Sequence, residues 1–413
     1  MKTGNRFKSN SERRLGQEQT RRNFLSSFAS GGAGVLAAGS VLGAQSQEQT
    51  EFDRYNDRTT LQNADPQGFM YAGEELANDE MRITLMGTSY FPRPQQQGPS
   101  IFVELGNGDS FVFDVGPGCS SNYHAMRVPY SRTDKIFLSH LHMDHVADLP
   151  YIYGFGPDGD RYSSLKVYGP SGIRPEFGTE SCIRSLETLL KWHTTSFRCA
   201  FDTKDSYKLD IQEFDYKANP GVAYEANGVK ISHFPVAHSM DGGVGYRLDW
   251  NGLSMGYSGD TNPTTSLVDN CKGVDILLHE TTGVDAGTWS EKNGLPLLVA
   301  QRIIENSHTV ARAMGKVLEL TQPKLGVTVH SEHNPDLLTP MVDGIRTHYD
   351  GPYVWGRDLM VFNVSQEGIK QRMGVGGNLP WYAYGAPKVT DPPPLDINDY
   401  KTKFTMDLRI MDY

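Results

Sequence analysis

The chain has 413 residues, of which 38% are hydrophobic and 21% charged, with a formal net charge of −10. This is the composition of a globular chain long enough to bury a large core, either as two or three domains or as one extended α/β unit. Outside the N-terminus no run of about 20 apolar residues escapes interruption by Gly or Ser, which excludes a membrane-spanning helix in the body of the chain.

Residues 1–19 are polar and basic, followed by Thr20-Arg21-Arg22-Asn23-Phe24-Leu25 and a small-residue apolar run from Phe28 to Leu42. Charged region, modest apolar region and small residues near Ala44 have the layout of a cleaved signal peptide. The paired arginines resemble a twin-arginine export signal, which implies delivery by that machinery to the periplasm or beyond. Residues 1–44 carry seven Lys/Arg against Glu12 and Glu18, so their removal leaves the chain near −15. With no Lys/Arg-rich stretch in the body, nucleic acid is not expected as a partner, and no stable membrane insertion is expected after cleavage. Residues 45–80, rich in Gln, Asn, Asp and Glu, read as a polar leader.

From residue 81 the pattern is that of strands. Met81–Met86, Ser100–Leu105 and Ser110–Val115 are apolar runs, the last two joined by Gly106-Asn107-Gly108-Asp109, a hairpin signal. Lys135–Ser139 and Leu165–Tyr168 read as further strands, and residues 179–192 as a helix. Residues 175–225 read as a mixed, acidic insertion. Val229–Pro235, Gly245–Trp250 and Leu253–Ser258 follow as strands, with Asn251-Gly252 marking a tight hairpin. Val274–Leu278 and Leu325–His330 are strands around two helical stretches, Leu297–Asn306 and Thr309–Leu320. Residues 376–413 form a Pro/Gly-rich tail. Consecutive hairpins mixed with later β-α-β segments point to a sheet-rich α/β sandwich over residues 81–375. The cysteines Cys119, Cys182, Cys199 and Cys271 have no metal-knuckle spacing. Cys182 and Cys199 are close enough in sequence to bridge, and free thiols are the alternative.

The chemistry is concentrated in Ser139-His140-Leu141-His142-Met143-Asp144-His145, directly after an apolar strand. Imidazole and carboxylate are the ligands of zinc and its neighbours. In extended backbone His140 and His142 project to one side, fit to grip one ion, while Asp144 and His145 at the bend grip a second. Two ions need more ligands than this segment supplies. His238, Asp260 and His330, each at the end of an apolar run, are the candidates.

These motifs resemble the metallo-β-lactamase superfamily, and within it the ribonuclease Z and arylsulfatase-like branch, over roughly residues 81–365. Leu85-Met86-Gly87-Thr88 looks like the opening strand and loop, and Phe111-Val112-Phe113-Asp114-Val115-Gly116 like the next strand and its Asp-x-Gly turn. Val236-Ala237-His238, Ser258-Gly259-Asp260-Thr261, His279-Glu280-Thr281-Thr282, His308 and Val329-His330-Ser331 follow in the order of the later motifs. The resemblance implies a four-layer αββα sandwich holding two zinc ions, with manganese or iron as alternatives. It implies His140, His142 and His238 on one ion, Asp144, His145 and His330 on the other, and Asp260 bridging. A metal-bridging hydroxide oriented by Asp144 is the expected nucleophile. His308, oriented by Glu280, is the expected donor to the leaving group. His279 is expected to be structural, as are His124, His193, His233, His333 and His348. A small-molecule phosphodiester or aryl sulfate is the expected substrate. Lactone or β-lactam opening, hydrolytic dehalogenation and a non-catalytic metal-binding role are the alternatives, and a homodimer is compatible with all of them.

Overall fold

A computed structural model describes residues 69–71, 74–376 and 391–401, all within the unit Gln62–Tyr413. The export signal expected over 1–44, most of the leader expected over 45–80 and most of the tail expected over 376–413 lie outside the described residues. The leader's end belongs to the fold, because β1 (Phe69–Tyr71) is paired in a sheet.

In chain order the next strands are β2 (Met81–Gly87), β3 (Ser100–Leu105), β4 (Ser110–Phe113), β5 (Lys135–Phe137), β6 (Leu165–Pro170) and β7 (Leu209–Phe214). The second half supplies β8 (Gly221–Ala226), β9 (Val229–Pro235), β10 (Val244–Trp250), β11 (Leu253–Tyr257), β12 (Ile276–Glu280), β13 (Leu325–Val329) and β14 (Tyr353–Trp355). The chain then returns through β15 (Met360–Ser365) and β16 (Gly368–Val375). Among the described residues these make two sheets, ordered β1-β16-β15-β2-β3-β4-β5-β6-β7 and β14-β13-β12-β11-β10-β9-β8. Apart from β1, which pairs with β16 in parallel, each sheet runs through antiparallel hairpins and then continues in parallel: β2 to β4 are antiparallel and β4 to β7 parallel, just as β8 to β11 are antiparallel and β11 to β14 parallel. The Asn251-Gly252 hairpin forms as expected, with both residues at positive φ (50° and 74°) and Trp250 paired with Leu253.

Period-two alternation assigns each strand residue to a layer. Phe111, Phe113 and Phe137 of the first sheet meet Tyr246, Met255, Ile276 and Leu278 of the second in the central core. Their neighbours Val112 and Ile136 point the other way. There they pack under α1 (Cys119–Ala125), α2 (Met143–Val146), α3 (Leu149–Gly154) and α4 (Thr179–Leu189). On the far face, Phe234 and Leu277 pack under α6 (Thr265–Cys271), α9 (Ala311–Thr321) and α10 (Pro335–Arg346), with α7 (Ala286–Asn293) and α8 (Leu297–Ile304) between α6 and α9 in the chain. The layers are thus helix, sheet, sheet, helix, as expected.

The segment expected as an insertion, 175–225, is structured and contributes to both sheets. It holds α4, the further helix α5 (Lys191–Ala200), and the strands β7 and β8. The helix expected over 179–192 breaks at Leu190, whose ψ of 14° ends α4. Of the tail, residues 391–401 carry a short turn, Ile397–Tyr400, and the Leu395 amide donates to the Arg198 carbonyl of α5. The four cysteines are free thiols.

Candidate metal centre

The candidate residues leave the sheets at the C-terminal ends of strands, where open α/β sheets place ligands; all but the antiparallel β9 have a parallel neighbour. His140 to His145 follow β5, His238 follows β9, Asp260 follows β11, Glu280 ends β12 and His330 follows β13. His142 is the residue before α2, in extended backbone (φ −64°, ψ 148°), and the helix turn then carries Asp144 and His145. The turns are tight. Gly259 has φ 57°, and a Cβ there would stand 2.8 Å from the Ser139 Cβ and 2.9 Å from the Val244 carbonyl. His330 itself sits at φ 53°, left-handed backbone of the kind that collects at functional sites.

Among the described residues three groups of donor atoms result, two that share Asp260 and a third, Glu280, His308 and His330, that adjoins the second. In the first, donor atoms of His140, His142, His238 and Asp260 all lie within 4.8 Å of one another; in the second, those of Asp144, His145, Asp260 and His330 do. In the first, His140 Nε2 and His238 Nε2 each stand 3.1 Å from His142 Nδ1. Edges of roughly 3.3 Å are what four nitrogens at zinc–nitrogen distances would make. In the second, Asp144 Oδ2 is 3.1 Å from His330 Nε2 and 3.5 Å from His145 Nε2. Asp260 faces both: Oδ2 is 3.8 Å from His140 Nε2 and 3.3 Å from His330 Nε2, and Oδ1 is 3.2 Å from His145 Nε2. His142 is exposed while His145 and Asp260 are buried, so the site has a closed floor and an open side. The residues fit a divalent ion by their donor chemistry and by two buried atoms that complete no hydrogen bond, His145 Nε2 and Asp260 Oδ1.

Electrostatics agree with this arrangement. Burial pushes His140 and His238 toward the neutral imidazole, the form that binds metal. Burial opposes charge on Asp260, yet His145 and His330 around it hold its carboxyl well below the usual range. His308, of the third group, lies beside the other two. Burial would lower its ring, but its Nδ1 donates to Glu280 Oε1 at 2.9 Å, and with Asp260 3.9 Å away its pKa is pushed up to about 9. Glu280 is itself fixed by the Thr261 amide and the Thr282 hydroxyl, both at 2.7 Å.

One residue of the site was not singled out from sequence. Asp114, buried at the end of β4 with φ 57°, accepts from the Ser139 amide (2.7 Å) and hydroxyl (2.6 Å), the Tyr257 hydroxyl (2.7 Å) and His145 Nδ1 (2.8 Å). It fixes the tautomer of His145, leaving Nε2 toward Asp144 and Asp260, in the carboxylate–histidine pairing typical of metal sites. Its signal was the Asp-x-Gly turn, with Gly116 so close to the site that a Cβ would stand 2.2 Å from the Asp144 carbonyl. His279 belongs to none of the donor groups; it is buried and its Nδ1 donates to the Glu280 carbonyl at 2.7 Å. His193 and His333 bond backbone carbonyls, and His233 stacks on Phe214 at 3.8 Å.

A family model described as a β-lactamase superfamily domain matches residues 110–331. Ribonuclease Z of Mycobacterium bovis (strain BCG / Pasteur) is 30% identical over 209 residues, covering 48% of this chain and 69% of the relative. Ribonuclease Z of Haloarcula marismortui is 25% identical over 313 residues, covering 68% and 96%. The crystal structure of the metallo-β-lactamase fold protein YhfI from Bacillus subtilis superposes with a TM-score of 0.50 at 17% identity, covering 69% of this chain and 99% of that one.

Proposed function

Because the chain belongs to the β-lactamase superfamily, as a metal-dependent hydrolase with ribonuclease Z homologues, we propose that it cleaves an ester-like bond of a small molecule, a phosphodiester before an aryl sulfate, with two divalent ions held side by side. The observation that carries this reading is Asp260, the one carboxylate common to the first two donor groups. His140, His142 and His238 would hold one ion, and Asp144, His145 and His330 the other, with zinc the best match to the donors and manganese or iron alternatives. A bound pair would supply Lewis acidity and lower the pKa of a water toward ~7. The chain's own groups do the rest. Asp114 aims His145, and Asp144, placed between His145 and His330, is positioned to orient the attacking water. Glu280 holds His308 by Nδ1, which leaves Nε2 to donate to the leaving oxygen.

Chromogenic phosphodiesters, aryl sulfates, lactones and a transfer-RNA precursor offered to the metal-loaded protein rank these readings. The expected result is turnover of a phosphodiester, lost in the His140→Ala/His142→Ala double variant together with bound metal. Full metal content in that variant would refute the ligand assignment. Preference for the RNA would refute the small-molecule substrate.

We also read residues 1–44 as a twin-arginine signal, which puts the mature enzyme in the periplasm or outside the cell. The support is the sequence Thr20–Leu25 and the small-residue run after it. Replacing Arg21-Arg22 by Lys-Lys is expected to leave the protein in the cytoplasm. Undiminished periplasmic yield from that variant would rule the signal out.

A further inference from the structure

Large apolar side chains stand exposed around the mouth of the donor groups. Met143, between His142 and Asp144, is 71% exposed; Met240, two residues beyond His238, is 53% exposed; and Phe91, in the loop after β2, is 62% exposed. Phe91 packs edge-on to Tyr90 at 5.0 Å, and the Tyr90 ring is 5.7 Å from that of His330. Ile173 and Phe177, in the loop after β6, are 48% and 37% exposed. That loop lies against the one carrying Met240, since a Cβ at Gly242 would stand 3.6 Å from the Ser171 carbonyl and 3.8 Å from the Gly172 Cα. Exposed hydrophobic residues thus stand beside the donor groups on three loops, and a fourth exposed apolar loop touches one of these. Exposed apolar groups gathered at one place mark a binding surface rather than chance.

Three cations nearby are already engaged. Arg93 and Lys292 both bind Glu332 Oε1, at 2.8 and 2.6 Å. Arg174 pairs with Glu176 at 3.6 Å and lies over the Phe177 ring at 4.7 Å. A nucleic-acid strand draws its affinity from Lys and Arg groups that neutralise successive phosphates. This rim offers side chains suited to a different occupant: methionines, which adapt to irregular apolar shapes, and a phenylalanine face.

We propose that the rim formed by Phe91, Met143, Ile173, Phe177 and Met240 binds the apolar part of the substrate, an alkyl or aryl group next to the scissile bond. The substrate class is then a hydrophobic phosphodiester or sulfate ester. This rests on reading the site as that of an ester hydrolase. The rim selects by burying the substituent, with little demand on its polar pattern, so selectivity grows with chain length rather than with any one functional group.

Titration calorimetry with methyl-, butyl- and octylphosphonate on the metal-loaded protein tests the rim without turnover. Wild-type affinity is expected to rise about twofold per methylene, below the roughly fourfold of complete burial because the rim is open on one side. In the Phe91→Ser/Met143→Ser/Met240→Ser variant the affinity is expected to become nearly independent of chain length. These positions are exposed, and an unchanged melting temperature reports that the variant is folded. Chain-length-independent affinity in the wild type overturns the proposal, as does an unaltered slope in the folded variant. So does a single-stranded RNA oligonucleotide that displaces octylphosphonate. A steep slope alongside failure of every ester in the turnover panel would leave the rim standing and remove the hydrolytic reading alone.

Discussion

Asp260→Ala is expected to take bound metal from about two ions per chain to fewer than one and turnover to the detection limit. The carboxylate is buried and lies within reach of five imidazoles: 3.2 Å from His145, 3.3 Å from His330, 3.8 Å from His140 and 3.9 Å from both His238 and His308. Removing it takes a donor at once from both groups that share it, and it also removes the negative charge against which those rings are packed. Asp114→Asn makes the informative contrast. Asp114 belongs to none of the donor groups, yet it receives four hydrogen bonds, among them that of His145 Nδ1. An amide in its place presents a donor where one of those groups also donates. Metal affinity is expected to fall by about 10–100-fold, the usual cost of disturbing a group behind a ligand, with activity recovered at high metal concentration. Elemental analysis and activity across a zinc titration separate the two variants. Asp260→Ala retaining two ions would end the bridging assignment, and Asp114→Asn behaving like Asp260→Ala would make Asp114 as necessary as a direct ligand.

The contrast between these two aspartates also marks how far the sequence is legible. His140, His142, Asp144 and His145 stand within six residues, and their grouping survives any modest error in the strand before them. His238, Asp260 and His330 are each separated from that segment by more than 90 residues; each ends an apolar run, but what identified them was the order of the later motifs in the family resemblance and the need of two ions for more ligands. The sandwich was legible from consecutive hairpins followed by β-α-β segments, but its four layers were implied by the family resemblance: β4 and β12 are buried on both faces, and only the structure shows Phe113 and Leu278 turned inward and Val112 and Leu277 outward. Asp114 was hidden because an aspartate in an Asp-x-Gly turn has an ordinary explanation, and only the tertiary fold brings Ser139, Tyr257 and His145 onto it. Strands β7 and β8 were missed because their pattern is polar. They are edge strands of the two sheets, half-exposed, and carry residues such as Asp210, Glu213 and Glu225 that an interior strand would exclude. The break at Leu190 escaped notice because no Gly or Pro marks it.

His308→Ala is expected to leave metal content nearly intact while lowering kcat by about 10²–10⁴, the size of a general acid–base contribution. The ordinary alternative, that His308 caps the following helix, does not match the structure. Helix α9 begins at Ala311 behind Val310, and no side chain caps its first turn. The His308 ring is turned instead to Glu280, at 2.9 Å, and its carbonyl accepts from the Asn262 side chain at 2.8 Å, a bond that any residue at 308 keeps. Glu280 in the variant retains the Thr261 amide and the Thr282 hydroxyl, so the buried carboxylate is not stranded, and the stability loss is expected to stay within about 1–3 kcal/mol. The kinetic loss depends on the leaving group. A nitrophenolate departs with little help from a proton, whereas an alkoxide needs one, so the alkyl ester is expected to suffer at least tenfold more than the nitrophenyl ester. Glu280→Gln is expected to share that leaving-group dependence, because it frees the same ring. Measuring metal content, melting temperature and kcat on the two esters decides the role of His308. Equal losses on both esters would reduce it to a packing residue, and near-wild-type kcat on the alkyl ester would remove it from the chemistry.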